Sequence, residues 1–286
     1  MKFASLRSIG LIFTPLLMTA VVIAAASKTE RLRGTLVVAV PVKEGLVVCS
    51  DKRLFNVDAR TFSDSSVKIR KVNNSALFVA TNTVGFFDQR SGKMTFDAVD
   101  ITAKYVASHD MRDKSFWDGL KEEIRNQLRA YFTTQKFSDW PESDNANNNL
   151  LFNLLFYSLE DNRPRGYSLN VFYEKARTPI ISFSGPVGEL IRTPKLGGKG
   201  KDLLAYFSRN PSAAQDPSIA RFDATHFDIQ KASASDAVSF ADKLFVLTST
   251  KLPAAEVSPT FDCALLDYQR GFQWLDGSGS SRNGSQ

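Results

Sequence analysis

Two short β-branched runs, LVVAV (36–40) and GLVVCS (45–50), are separated only by the tract PVKE (41–44). This pattern predicts a hairpin: branched side chains favour the pleated backbone, and so short a connection returns the chain beside itself. A second pair follows, with VKIRKV (67–72), a turn at 73–75 and ALFVAT (76–81). The chain beyond residue 35 therefore opens on antiparallel β-structure.

Helical periodicity then takes over. Phe116, Trp117, Leu120, Ile124, Leu128, Tyr131 and Phe132 fall at three- and four-residue spacings, which predicts one amphipathic helix laid on the sheet. The polar tract 140–149 reads as a loop, and 150–159 with 166–173 as another hairpin joined through Asn162 and Pro164. A second helix is expected over 235–248, where Ala237, Val238, Phe240, Ala241, Leu244, Phe245 and Leu247 make a broad apolar face, and a last strand over 261–266. The order is strands, helix, strands, helix, strand. It contains no alternating βα units and no dinucleotide or phosphate-binding glycine pattern, so two sheets covered by helices, an α+β layered sandwich, account for it best.

At 286 residues, with 43% hydrophobic and 23% charged, the chain can bury a sizeable core. Its formal net charge is +6, but the basic residues are scattered rather than gathered into a stripe, which argues against nucleic acid as a partner. Gly197, Gly198 and Gly200 lie among Lys195, Lys199 and Lys201, yet no Ser or Thr follows a Gly-Lys pair as a phosphate loop requires, so a flexible connection is the reading.

Residues 1–26 are a different material. Lys2 and Arg7 precede an apolar run over 9–26 that closes on Ala24, Ala25 and Ala26, the pattern of a secretory signal peptide. The same run is about the minimum length for an uncleaved membrane anchor, so a tether through 9–26 is the alternative. Either way the remainder is expected outside the cytoplasm, periplasmic or secreted. The Gly- and Ser-rich tail over 277–286 is expected to be disordered. Cys49 and Cys263 are too few for a disulfide scaffold and lack metal-site spacing; one disulfide or two buried thiols are both open.

The segment GTLVVAVPVKEGLVVCSDKR (34–53) resembles the opening of a proteasome β-type subunit, an N-terminal nucleophile hydrolase. In that family a Gly-Thr junction is cut, a strand follows, a turn ends in Gly, and a second strand runs into Asp-x-Arg. The matching residues are Gly34, Thr35, Gly45, Asp51 and Arg53. SSVKIRKVNNSALFVATNTVGFFD (65–88) is similar to the stretch carrying the family's catalytic Lys, here Lys68 after a one-residue insertion, and the oxyanion-hole strand. SASDAVSFADKLFVLTST (233–250) and TFDCALLD (260–267) resemble its late helix and the strand packed near it.

The resemblance implies a four-layer αββα sandwich over 35–276 and a propeptide over 27–34. It implies Thr35 as nucleophile, its own α-amine as base once the bond after Gly34 is cut, Lys68 and Asp51 beside it, and Arg53 in support. A residue without Cβ at 34 lets the hydroxyl approach the preceding carbonyl. The chain departs from the family at two places. Paired glycines after the oxyanion strand are replaced by Thr81, Asn82, Thr83, Val84 and Gly85, leaving the oxyanion donor unassigned. The Gly-Ser-Gly element has two competing matches, Ser184-Gly185 and Gly198-Lys199-Gly200, the latter putting Lys199 where Ser is expected. Asp223, with Asp228 as alternative, stands for the family's acidic residue ahead of its late helix. The histidines His109 and His226 are expected at the surface or at helix edges.

The activity implied is that of a threonine-type peptidase or amidohydrolase acting on a peptide or other amide, self-associating into homo-oligomers, with no metal or organic cofactor expected. A fold relative without catalysis, serving as a binding or scaffold protein of the envelope, is the alternative.

Overall fold

The computed structural model describes residues 29–33, 35–57, 59–88, 91–140, 149–252, 257–276 and 279. The expected signal segment over 1–26, the junction residue Gly34 and, but for 279, the tail over 277–286 lie outside the described residues.

The hairpin at the start of the matched region is β2 (Leu36–Val42) and β3 (Gly45–Asp51), paired antiparallel with Val38 opposite Cys49 and Val40 opposite Val47. Every residue of both strands is buried, so both faces of the hairpin are covered. Side chains alternate across a strand, which sends neighbours into different cores. Leu36, Val38, Val40, Val47 and Cys49 pack with Leu203, Phe240, Leu244 and Phe245. Val37, Ala39, Leu46 and Val48 instead pack with Ile69, Leu77, Val79 and Tyr157.

Upstream of the hairpin, Thr29–Arg33 forms β1, and downstream come β4 (Leu54–Asn56), β5 (Thr61–Ser63), β6 (Ile69–Asn73), β7 (Ala76–Asn82), β8 (Gly85–Asp88) and β9 (Lys93–Asp97). Two helices follow, α1 (Ala98–Val106), capped by the Asp97 carboxylate on the Val99 and Asp100 N–H groups, and α2 (Phe116–Thr134). The strands β10 (Leu150–Glu160) and β11 (Arg163–Glu174) make the expected hairpin, its two turn residues Asp161 and Asn162 both at positive φ, as a tight primed turn requires. Then come β12 (Ile180–Leu190), β13 (Lys195–Gly198), α3 (Gly200–Arg209), the short α4 (Pro211–Ala214) and α5 (Pro217–Ala220), α6 (Ala234–Lys251), β14 (Phe261–Asp267) and β15 (Gly271–Leu275).

These strands make three antiparallel five-stranded sheets among the described residues, in the orders β13-β2-β3-β14-β15, β12-β11-β10-β7-β6 and β5-β4-β1-β8-β9. The architecture is mixed α+β. Two sheets were expected; the third is assembled from strands of three to five residues, too short to carry a periodic signal. The helix expected over 116–132 is α2, and a further helix that was not expected, α1, precedes it. On the second sheet, Phe78, Ala80, Phe152, Leu154 and Phe156 share a core with Leu120, Ile124 and Leu128 of α2. The candidate propeptide is no appendage: β1 pairs with β4 on one side and β8 on the other.

No helix among the described residues is long and apolar enough to cross a membrane. Cys49 and Cys263 are disulfide-bonded, joining β3 to β14 where the two residues stand opposite in the ladder.

Candidate active site

Thr35 immediately precedes β2 and is 1% exposed. Its backbone has φ 148°, a region that suits glycine and that a β-branched residue enters only when its surroundings force it, at a cost of about 1–3 kcal/mol. Its hydroxyl is buried with no hydrogen-bond partner. A buried hydroxyl without a partner is costly and uncommon, so a polar group that is both unpartnered and conformationally strained marks Thr35 out from its neighbours.

The surrounding strands explain how it is held. β13 pairs with β2 so that Gly198 stands opposite Leu36. The Lys199 N–H donates to the Thr35 carbonyl at 3.0 Å. Gly198 has φ 60°, and a Cβ there would stand 2.0 Å from the Thr35 carbonyl oxygen, so only glycine lets the two backbones meet. Of the two competing matches for the Gly-Ser-Gly element, the Gly198-Lys199-Gly200 segment therefore touches Thr35. Ser184 lies instead in β12, opposite Asn170 of β11 in the other sheet. The Lys199 side chain turns to Asp202 at 3.4 Å, and both side chains are partly solvent-exposed.

Asp51 ends β3 and is 1% exposed. Its Oδ1 accepts the Leu36 N–H at 2.8 Å, which fixes the carboxylate one residue beyond Thr35. Its Oδ2 accepts from the Arg53 N–H at 3.0 Å, the Ser258 N–H at 3.3 Å and the Lys68 Nζ at 3.1 Å. Lys68, just ahead of β6, is 3% exposed. Burial pushes the Asp51 carboxyl above the ordinary carboxylate range and the Lys68 ammonium below the ordinary lysine range, while their mutual attraction opposes both shifts. A buried lysine that gives up its proton more readily than usual, held by the carboxylate that also accepts the N–H of the residue after a strained threonine, is the kind of group that can serve a hydroxyl nucleophile.

Protein-family models and curated proteins give no match to this chain. The site therefore stands on its own geometry.

The remaining sequence-derived residues fall in different places. The Arg53 guanidinium makes a two-pronged pair with Asp64 at 2.7 and 2.8 Å and lies over the Phe62 ring, while its backbone N–H donates to Asp51. Asp223 is exposed and binds the N–H and hydroxyl of Thr225 in its own turn. Asp228 caps a 3-10 turn through the Gln230 N–H and pairs with Lys231. The late contact to the site comes instead from Ser258, after α6. Its 207-residue separation from Asp51 leaves no local sequence signal that could have found it. His109 and His226 are exposed. Among the residues offered for the oxyanion, Thr81, next to last in β7, stands beside Gly198 with a buried, unpartnered hydroxyl. The Thr83 and Val84 N–H groups are engaged by the Leu151 and Leu32 carbonyls, each at 2.9 Å.

Proposed function

We propose that the chain is a self-processing threonine amidohydrolase of the N-terminal nucleophile type, acting outside the cytoplasm on peptide or related amide bonds. The observation that carries this reading is Thr35: a β-branched residue in strained backbone, its hydroxyl buried and unpartnered, next to the carboxylate that holds a buried lysine. Three cores, helices on one sheet, that sheet on another, and helices again beyond it, support the αββα order of layers that such enzymes have. The disulfide between Cys49 and Cys263 supports an oxidising location.

The chemistry follows in two stages. The Thr35 hydroxyl adds to the Gly34 carbonyl carbon, the bond from that carbon to the Thr35 nitrogen breaks as the nitrogen takes a proton, and an ester remains. Water hydrolyses the ester, leaving a Gly34 carboxylate and a free Thr35 amine. In turnover that amine accepts the proton of the same residue's hydroxyl, and Lys68 supplies positive charge or a further proton acceptor beside it. The Thr35 Oγ bonds to the substrate's amide carbon, the C–N bond breaks as the proton held by the amine passes to the leaving nitrogen, and water then hydrolyses the ester, releasing the carboxylate and restoring the Thr35 hydroxyl.

The test is the intact mass of the full chain together with Thr35→Ala. A chain that begins at Thr35 in the unaltered protein and keeps residue 34 in the variant, with amide hydrolysis lost, is expected. Equal processing and equal hydrolysis in Thr35→Ala would end the assignment.

One observation favours a second reading. Because β1 is built into a sheet on both sides, an uncut chain is a complete structure, as a noncatalytic scaffold protein would be. A mature mass that retains residue 34, with no hydrolysis of a peptide library, is the outcome expected of that reading.

A further inference from the structure

The segment that must be cut away is the centre of a sheet. In the order β5-β4-β1-β8-β9, the β5-β4 pair and the β8-β9 pair meet only through β1. On one side Thr29, Glu30, Arg31 and Leu32 stand opposite Asp88, Phe87, Phe86 and Gly85; on the other, Leu32 and Arg33 stand opposite Asn56 and Phe55. The Val57 N–H donates to the Arg31 carbonyl and the Val84 N–H to the Leu32 carbonyl, each at 2.9 Å, while Arg33 Nε donates to Thr83 Oγ1 at 2.9 Å. None of these bonds runs through the peptide bond between residues 34 and 35, so scission there leaves all of them in place. Extended backbone held on both edges is a strong mode of segment binding, because main-chain hydrogen bonds on each side satisfy it without regard to side chains.

We infer that β4 and β8 form a strand-accepting slot whose ligand is this chain's own segment 29–33. After the cut the segment stays bound without a covalent link and keeps the enzyme latent. The inference rests on the reading above, and it concerns what happens after the chemistry that reading describes. The occupied slot restrains the stretch offered for the oxyanion, because Val84 within it has its N–H engaged by the segment's Leu32 carbonyl. Departure of the segment frees the Val57 and Val84 N–H groups together, and the vacated ligand position suits another extended stretch of polypeptide.

The experiment compares native and denaturing mass spectra of the processed full chain with hydrogen exchange at Val57 and Val84. The cut segment is expected to travel with the protein in the native spectrum and to separate on denaturation. Exchange at the two amides should be slower by about 10-fold or more than after the segment is stripped by dilution. The unaltered protein is expected to hydrolyse amides only after a lag; in Arg31→Pro, where proline cannot sit in a central strand, hydrolysis should begin at once, and a synthetic peptide of residues 27–34 should restore the inhibition. If the bond is cut but the native spectrum shows no segment, or the two amides exchange freely, latency is overturned while the hydrolase reading stands. If the bond is never cut, both fall. Should Arg31→Pro fail to fold, the mass and exchange measurements on the unaltered chain decide alone.

Discussion

Asp51 gathers four donors from four parts of the chain: Leu36 at the head of β2, Arg53 just beyond β3, Lys68 ahead of β6 and Ser258 after α6. Removing either partner of a buried ion pair strands the other, at a cost of about 3–5 kcal/mol. The two losses are unequal here. Lys68→Met leaves Asp51 with three backbone N–H groups and a carboxyl already inclined to hold a proton, whereas Asp51→Asn leaves the Lys68 ammonium buried without the carboxylate that pairs with it. Denaturant unfolding is expected to rank Asp51→Asn as the less stable variant, and the reverse order would mean that Lys68 is not charged in the folded chain. The pH dependence follows from the direction of the Lys68 shift. Its proton is held less tightly when folded than at the ordinary value of 10.5, so its contribution is fully present above that value and is lost as pH falls through the depressed folded pKa. The stability of the unaltered protein relative to Lys68→Met should therefore rise with pH across that window in a series of denaturant titrations; a decline would show Lys68 retained as an ammonium by Asp51.

At the scale of elements, α2 illustrates what periodicity reads well. Of the residues picked out by spacing, Phe116, Leu120, Ile124, Leu128, Tyr131 and Phe132 are the ones that α2 buries, and Trp117 is half-buried. Ile124 is 0% exposed and packed among the aromatic residues of the second sheet, so Ile124→Ala should destabilise by about 2–5 kcal/mol in equilibrium unfolding. A loss below ~1 kcal/mol would mean that the face is not packed as described. The hairpins were equally legible, since β2 with β3 and β10 with β11 combine β-branched or aromatic runs with short turns. Strands β4 and β5, of three residues each, and β1, a charged TERLR, were not, because nothing in their own residues calls for pairing. Their partners are supplied by distant segments.

Across the whole molecule, the Cys49–Cys263 bond closes a loop of 214 residues between β3 and β14, two strands already paired in the sheet that carries Thr35. Loop-closure entropy in the unfolded chain makes such a link worth up to about 5 kcal/mol. Cys263→Ser is expected to lower the denaturation midpoint substantially while leaving the native circular dichroism unchanged, and an unaltered midpoint would show that the unfolded chain gains little freedom from the loss.

The sequence by itself determined the two long hairpins and the buried faces of the two long helices. Those are consequences of local periodicity and of short connections, both written in adjacent residues. The tertiary structure decided that the cysteines pair, that Gly198 and Lys199 meet Thr35, that Ser258 completes the shell of Asp51, that Asp223 stays at the surface, and that residues 29–33 join two half-sheets. Each of those depends on segments far apart in the chain arriving at one place, and the packing of whole faces against one another, rather than any nearby pattern, brings them there.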